Sequence, residues 1–247
     1  MSDIPVLSVQ GVSKSFGALE VLRDVSFDLN ANEIIAVIGH SGCGKTTLLR
    51  IVCAFESGDK GAVLLDGARH EKPSKEALML FQSFEQLQPW RTTLGNVVYP
   101  LLAAGAVKRR AEARTLALKR LADVGLSDFV DAYPHTLSGG MKQRAAVARA
   151  LALAPRVLLM DEPFAALDNI TRGTLQALTR RVCGKYGISA LLVTHSVEEA
   201  LVMADRIIVM DRDPGRIKAI VENPERDAAD PPRRTELTER VMTLLRE

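Results

Sequence analysis

A glycine-rich loop near the start of the chain has the residue types and spacing of a phosphate site. Residues 39–46 have the sequence Gly-His-Ser-Gly-Cys-Gly-Lys-Thr and directly follow an apolar run. Glycines let consecutive backbone N–H groups surround a phosphate without clashes from Cβ atoms, and a helix that begins near Lys45 would add partial positive charge. The pattern therefore predicts a site for the phosphates of a nucleotide.

Each part of this loop, which has the P-loop pattern, receives a predicted role. Lys45 is expected to reach the β and γ phosphates, and the Thr46 hydroxyl to hold Mg²⁺, a hard cation that prefers oxygen ligands. The predicted nucleotide contacts along the loop are Gly39, His40, Ser41, Gly42, Cys43, Gly44, Lys45, Thr46 and Thr47. The loop alone does not distinguish an ATPase from a GTPase or a kinase.

Two consecutive carboxylates follow an apolar run further along the chain. Asp161 comes after residues 157–160, at the end of a predicted buried strand, where a carboxylate is costly unless it faces a cation. We expect Asp161 to orient Mg²⁺ through water and Glu162 to act as the general base that polarises the attacking water. A surface ion pair is the alternative role for these two acids.

Three further sites carry polar groups at predicted element ends. Gln82 follows a short apolar run, and its amide oxygen could ligate Mg²⁺ or the attacking water. His195 ends another apolar run, a position where a lone histidine is ordinarily a core or capping residue. The sequence Leu-Ser-Gly-Gly-Met-Lys-Gln-Arg at 137–144 is expected to begin a helix at Ser138, which would present free N–H groups to an anion. A capped turn is the alternative for that segment.

The order of these motifs resembles the ATP-binding cassette family over nearly the whole chain. The matching positions are Phe16, the loop at 39–46, Gln82, the segment 138–144, Asp161 with Glu162, the segment 166–168, and His195. The resemblance implies an ATPase that binds ATP with Mg²⁺.

The resemblance also implies a role for each remaining site residue. Ser138, Gly139, Gly140 and Gln143 would close on ATP held by the loop of a second copy, or of a paralogous subunit. Asp168 would shape that dimer contact, and His195 would contact the γ-phosphate and steady Glu162. Phe16 would stack on adenine, although the family's more usual tyrosine is absent and a core role is the alternative.

The elements that must position these residues have the pattern of an α/β protein. Residues 7–16 and 25–29 alternate apolar and polar side chains around a turn at Gly17, which predicts an antiparallel β edge layer. Continuous apolar runs are typical of strands buried in a mostly parallel sheet, and a helix is expected at 46–53. These runs lie at 33–39, 78–81, 157–160, 190–194 and 206–210. With the resemblance, the predicted fold is that of a RecA-like P-loop NTPase.

Between the runs at 78–81 and 157–160 the sequence pattern changes from strand-like to helical. Residues 108–124 have a helical period, which predicts a helical subdomain at 87–154 inserted into a core of 1–86 and 155–222. These parts would form one ATPase domain, 1–222. The remainder, 223–247, is expected to be a linker to about Arg234 and a short helix from Thr235 to Leu245, capped by Thr235.

Composition narrows the partners and the compartment. The 32 basic and 30 acidic residues give a net charge of +2, unlike the surface of a non-specific nucleic-acid binder. Three separated cysteines favour a reducing cytosol, and the N-terminus has no export signal. The apolar runs are shorter than the roughly 20 residues that cross a bilayer, so a membrane role would need a partner.

The segment 86–97 resembles bacterial importers of nitrate, sulfonates and taurine, in which it lines a groove for a membrane helix. Trp90, the single tryptophan, would be an apolar anchor there, with an ordinary core residue as the alternative. This implies permease partners, indirectly a periplasmic or extracellular solute-binding protein, and a peripheral position on the cytoplasmic side of the membrane.

The main alternative is a soluble single-cassette ATPase of iron–sulfur cluster assembly. Another importer or exporter class, and a non-catalytic regulatory module, also stay open. The transported solute cannot be predicted because this subunit would not touch it.

Overall fold

The computed structural model describes residues 4–81, 86–165, 167–224 and 231–246. The chain forms two compact units. One, here called the sheet unit, comprises Met1–Ser74, Leu159–Glu162 and Ser189–Glu247. The other, here called the helical unit, comprises Lys75–Leu158 and Pro163–Ile188.

In chain order the elements are β1 (Leu7–Phe16), β2 (Leu19–Leu29), β3 (Ile34–Gly39), α1 (Lys45–Val52), β4 (Lys60–Leu65), β5 (Ala68–Arg69), β6 (Ala77–Leu80), α2 (Thr93–Ala103), α3 (Arg110–Asp123), α4 (Gly139–Ala152), β7 (Val157–Asp161), α5 (Asn169–Tyr186), β8 (Ser189–Thr194), α6 (Val197–Met203), β9 (Arg206–Met210), β10 (Ile217–Glu222) and α7 (Pro231–Arg246). Short 3₁₀ turns at Ser127–Phe129 and Pro134–Thr136 precede α4.

The central sheet of the sheet unit is built on β3. Its strand order is β10-β9-β3-β8-β7, with β3 parallel to both β8 and β9 and β10 antiparallel to β9. All six residues of β3 and of β8 are buried, as expected for strands covered on both faces. The predicted α/β class with a mostly parallel sheet is confirmed.

The antiparallel layer has the strand order β2-β1-β4-β5. β1 pairs antiparallel with both β2 and β4, and buried side chains alternate with exposed ones along much of β2. The predicted edge layer is therefore present and larger than expected. The sequence pattern missed β4 and β5, which are short and partly exposed, and β10, which lies at the edge of the central sheet.

The helical unit holds α2, α3, α4 and α5, together with β6 and the start of β7. The backbone N–H of Val157 donates to the Glu76 carbonyl at 2.9 Å, which places β6 beside that start. Asp123, at the end of α3, pairs with Lys185 at 2.5 Å and accepts from the Tyr186 hydroxyl. The Arg120 guanidinium lies 3.8 Å from the centre of the Tyr186 ring, so α3 and the end of α5 are joined through one polar cluster.

The last helix starts earlier than the sequence pattern predicted. α7 begins at Pro231, so the expectation of a linker to Arg234 and a cap at Thr235 was wrong. Proline has no N–H to leave unpaired in the first turn of a helix and its fixed φ suits that turn. α7 contacts α6, β9 and β10 within the sheet unit, with Val241 fully buried. Among the described residues, no helix is long and apolar enough to cross a bilayer.

Candidate active site

The glycine-rich loop joins β3 to α1 in the sheet unit. β3 ends at Gly39, α1 begins at Lys45, and Gly44 precedes the helix with a φ of 89°. A Cβ atom at Gly44 would lie 2.7 Å from Cδ2 of Leu22, so the loop needs glycine there both for its φ and for space. The strand, loop and helix sequence predicted for a phosphate site is present.

Lys45 places its charge inside this loop. The side chain is buried, and its Nζ donates to the carbonyls of Gly39 at 2.8 Å and His40 at 3.0 Å. A buried ammonium needs such partners, and here they hold it against the backbone of the loop. This is the position from which the predicted phosphate contact would be made.

Thr46 and Asp161 are far apart in the sequence but lie side by side in the sheet unit. The Thr46 hydroxyl donates to Oδ1 of Asp161 at 3.2 Å, although the two residues are 115 positions apart. Burial raises the pKa of Asp161 above its ordinary value, against the opposing effect of the Thr46 hydrogen bond. The carboxylate therefore favours any cation that comes to this position.

The Thr46 and Asp161 pair fits Mg²⁺ better than a metal held by protein ligands alone. Mg²⁺ is commonly held by one or two protein oxygens together with waters and substrate phosphates, which these two side chains can supply. Among the described residues, no group of three or more histidine, cysteine or acidic side chains is arranged to hold a metal ion. The predicted third ligand, Gln82, lies outside the described residues.

Glu162 and His195 meet at the ends of the neighbouring strands β7 and β8. Nδ1 of His195 lies 3.3 Å from Oε1 of Glu162. Glu162 has a φ of 43°, an uncommon value for a residue with a side chain, and its N–H donates to the Val193 carbonyl at 2.9 Å. The contact between the predicted base and the predicted histidine follows from this backbone geometry.

The backbone around His195 is fixed by a short capped helix. The Thr194 hydroxyl donates to Oε2 of Glu199 at 2.6 Å, and Ser196 caps α6 by accepting from the Glu199 N–H at 3.2 Å. The His195 side chain itself remains 62% exposed. It is therefore neither a core nor a capping histidine, and it is accessible to a ligand.

Phe16 ends β1 on the surface of the sheet unit. It is 50% exposed, which excludes the alternative of a core residue. Nζ of Lys14 lies 5.1 Å from the centre of the Phe16 ring, while the same ammonium pairs with Glu56 at 2.8 Å. An exposed ring beside a lysine held in place is suited to stack on a flat heterocycle.

In the helical unit, Ser138 caps α4 as predicted. Its hydroxyl accepts from the Met141 N–H at 3.3 Å, and the helix begins at Gly139. A Cβ atom at Gly140 would lie 2.6 Å from Cγ2 of Thr171 on α5, so the first turn of α4 packs closely on α5. The free N–H groups at such a helix start are the kind of group that attracts an anion.

Gln143 and Asp168 occupy different environments in the same unit. Gln143 is 1% exposed, and its Nε2 donates to the Pro163 carbonyl at 3.1 Å. Asp168 caps α5 by accepting from the Thr171 N–H at 3.0 Å, and this backbone hydrogen bond holds the pKa of its carboxyl below the ordinary value. The nucleotide and dimer contacts predicted for both residues stay predictions, and the segment 166–168 is described only in part.

The end of α7 lies against the glycine-rich loop of the sheet unit. Nε2 of His40 donates to the Leu245 carbonyl at 2.7 Å, so the end of α7 contacts the glycine-rich loop. No local pattern in the sequence indicates this contact because 205 residues separate the partners.

In the helical unit, Trp90 is 71% exposed, which excludes the core alternative. The Arg91 guanidinium lies 4.2 Å from the centre of the half-exposed Tyr99 ring on α2, so exposed aromatic groups occur both before this helix and on it.

Comparison with known proteins gives a consistent result. The family model described as ABC transporter matches residues 22–165. The nitrate import ATP-binding protein NrtC of Synechococcus elongatus is 41% identical over 198 residues, which cover 80% of this chain and 30% of that protein. The aliphatic sulfonates import ATP-binding protein SsuB 1 of Xanthomonas axonopodis pv. citri is 44% identical over 214 residues, covering 85% of this chain and 83% of that protein.

A solved structure agrees in fold. The ATP-binding cassette MJ0796, in a dimeric post-hydrolysis state bound to ADP and phosphate, matches with a TM-score of 0.75 and 29% identity. The match covers 87% of this chain and 98% of that chain. The chain thus spans nearly all of this cassette but less than a third of the nitrate relative.

Proposed function

This chain belongs to the ABC transporter family and is an ATPase, and from that premise we propose that it is the motor subunit of a bacterial importer of small solutes such as nitrate, sulfonates or taurine. The observation that carries the proposal is the contact between Glu162 and His195 in the unit that also pairs Thr46 with Asp161. These four side chains lie at strand ends or beside the phosphate loop, where the groups for hydrolysis are needed. The relatives named as import proteins support the direction of transport.

We propose that Glu162 accepts a proton from the water that attacks the γ-phosphate. Its carboxylate is partly buried and lies 3.3 Å from His195, which would hold it in place and contact the same phosphate. Lys45 would draw charge from the β and γ phosphates, and Thr46 with Asp161 would hold Mg²⁺. Bound Mg²⁺ supplies charge neutralisation of the phosphate oxygens.

We propose that two copies enclose two ATP molecules. The glycine-rich loop of one copy would bind the phosphates, and the capped start of α4 in the other copy would close on them through Ser138, Gly139 and Gly140. Both surfaces have free N–H groups at a helix start, which suits an anion held between them. The dimeric cassette that the chain matches supports this arrangement.

The permease is proposed to dock on a surface that includes Trp90, just before α2, and Tyr99, on α2. Trp90 and Tyr99 are exposed, and large exposed aromatics are enriched where interfaces bury much area. Closure of the two copies would draw two such surfaces together and switch the permease between inward-facing and outward-facing states. A solute-binding protein would deliver the solute on the far side of the membrane.

The test of the proposed base is Glu162→Gln. Removal of a general base should lower kcat for ATP hydrolysis about 10²- to 10⁴-fold while ATP still binds. The matched control is Glu198→Gln, which removes an exposed carboxylate at the start of α6. Undiminished hydrolysis in the Glu162 variant, measured by phosphate release with permease present, would refute the assignment.

A second experiment separates transport from cluster assembly. Affinity purification of the chain from its native membrane should recover a hydrophobic permease, and Trp90→Ala should weaken that recovery without lowering ATP binding. Recovery of soluble iron–sulfur scaffold proteins alone would instead favour the cluster-assembly ATPase.

A further inference from the structure

Gln143 lies on α4, one turn after the capped start of that helix, and it is almost fully buried. Its Nε2 donates to the Pro163 carbonyl at 3.1 Å. One of the two hydrogens on this nitrogen is used by the Pro163 carbonyl, and because the side chain is 1% exposed, the second hydrogen is not presented to a phosphate on the surface. The contact therefore points away from nucleotide binding and toward the segment that contains Pro163.

Pro163 directly follows Glu162, and the chain passes from the sheet unit to the helical unit at that peptide bond. Glu162 has a positive φ, and its N–H donates to the Val193 carbonyl. This backbone hydrogen bond lies on one side of the proposed base. The hydrogen bond from Gln143 to Pro163 lies on the other side, so the strained residue is fixed in both directions along the chain.

The oxygen of the Gln143 amide differs from its nitrogen in having no hydrogen-bond partner among the described residues. Oε1 of Gln143 is buried, and no donor within the described residues bonds to it. A buried acceptor without a partner costs free energy, and an apolar residue of similar size at this position would avoid that cost. A glutamine here is thus explained by its donor, which pairs with Pro163, rather than by stability.

We propose that Gln143 is a positioning residue that holds the Pro163 carbonyl and, through the Glu162–Pro163 peptide bond, the backbone of the proposed base. This inference rests on the proposed role of Glu162. It replaces the nucleotide contact that the sequence predicted for Gln143. A shift of the turn by about 1 Å is enough to misplace a general base and cost about 100-fold in rate.

The test is Gln143→Met, which keeps the size of the side chain and removes the donor. We expect kcat for ATP hydrolysis to fall about 10- to 100-fold while KM and the Kd for ATP stay within twofold. The matched control is Thr179→Val, which removes a buried hydroxyl of the same unit that donates to the Leu175 carbonyl of its own helix. Its kcat should be unchanged.

If the methionine variant does not fold, Gln143→Glu decides, because it keeps the shape of the amide and lacks the donor at neutral pH. The same fall in kcat is expected there. A raised KM with an unchanged kcat would overturn the proposal in favour of a nucleotide contact. Unchanged kinetics in a folded variant would overturn it as well.

A double variant separates this inference from the proposed function. In a Glu162→Gln background, Gln143→Met should cause no further loss, because residues that act through one group are not additive. A full additional loss would show that Gln143 acts elsewhere. If Glu162→Gln alone has no effect, the proposed base itself fails. If only Glu162→Gln lowers kcat, the inference about Gln143 fails and the proposed base stands.

Discussion

The two surfaces proposed to bind phosphate are built differently. In the sheet unit, the loop at 39–46 holds the buried Lys45 ammonium, and the Thr46 hydroxyl lies in the first turn of α1. Two carboxylates and a histidine, Asp161, Glu162 and His195, lie at the ends of β7 and β8 in the same unit. In the helical unit, the start of α4 has a serine cap and two glycines, with no acidic residue in its first turn. The first surface thus combines a cation with carboxylates and a histidine, whereas the second offers the N–H groups of a helix start, the Ser138 hydroxyl and no carboxylate.

This difference indicates a division of labour. The sheet unit should bind nucleotide by itself, since a charged loop needs no second surface to attract a phosphate. The start of α4 should instead contribute when a second copy brings it to a nucleotide already bound. The variants below test that division, from the largest expected effect to the smallest.

Lys45→Met tests binding by the sheet unit alone. Loss of a charged hydrogen-bond donor costs about 1.5 to 3 kcal/mol, so the Kd for ATP should rise about 10- to 150-fold. Titration of a fluorescent nucleotide at low protein concentration would measure this effect in single copies. Lys60→Met, on the exposed start of β4, is the control and should leave Kd unchanged. An unchanged Kd in the Lys45 variant would contradict nucleotide binding through the buried ammonium of the sheet unit.

Gly140→Ala tests the helical unit. The added Cβ would meet Cγ2 of Thr171 at 2.6 Å, so the first turn of α4 must move or Thr171 must rotate. We expect kcat to fall about tenfold or more, from a misplaced start of α4, while the Kd of single copies for ATP is unchanged. Thr171→Ser removes the blocking methyl and should restore kcat in the double variant. A weakened Kd in single copies would contradict the division of labour.

Phe16→Ala tests how the sheet unit distinguishes a nucleotide from its phosphates. Loss of an aromatic stack worth about 0.5 to 1.5 kcal/mol should raise the Kd for ATP about two- to twelvefold. The Kd for inorganic tripolyphosphate, which has no base to stack, should not change. Calorimetry with both ligands measures the difference, and an equal loss for both would show that Phe16 shapes the loop instead of contacting adenine.

Asp161→Asn tests the stability of the sheet unit, and we expect this effect to be the smallest of the four. Burial raises the pKa of Asp161 in the folded state above its unfolded value. The folded protein therefore holds that proton more tightly, and stability is lost as pH rises from the unfolded-state pKa of Asp161 through its folded-state pKa. In nucleotide-free protein, the variant should melt above wild type at neutral pH and converge with it at acidic pH. An equal or lower melting temperature at neutral pH would contradict the sign.

Local sequence patterns predicted the parts of the site that depend on neighbouring residues. The run before Gly39, the helix start at Lys45 and the cap at Ser138 were all predicted correctly, because strand alternation, helix starts and caps involve residues a few positions apart. The start of α7 was wrong, because proline at the first turn was taken for a linker. The strands β4, β5 and β10 were missed, since β5 has only two residues and β4 and β10 are partly exposed.

The sequence alone determined the order of the motifs, the α/β class and the residue types of the site, since these are properties of spacing and composition. Only the tertiary structure decided which side chains meet. The hydrogen bonds of Thr46 with Asp161 and of His40 with Leu245 join residues more than a hundred positions apart. The burial of Gln143 against Pro163 also depends on the path of the chain. No local period records such partners, because they are set by how strands and helices pack after they form.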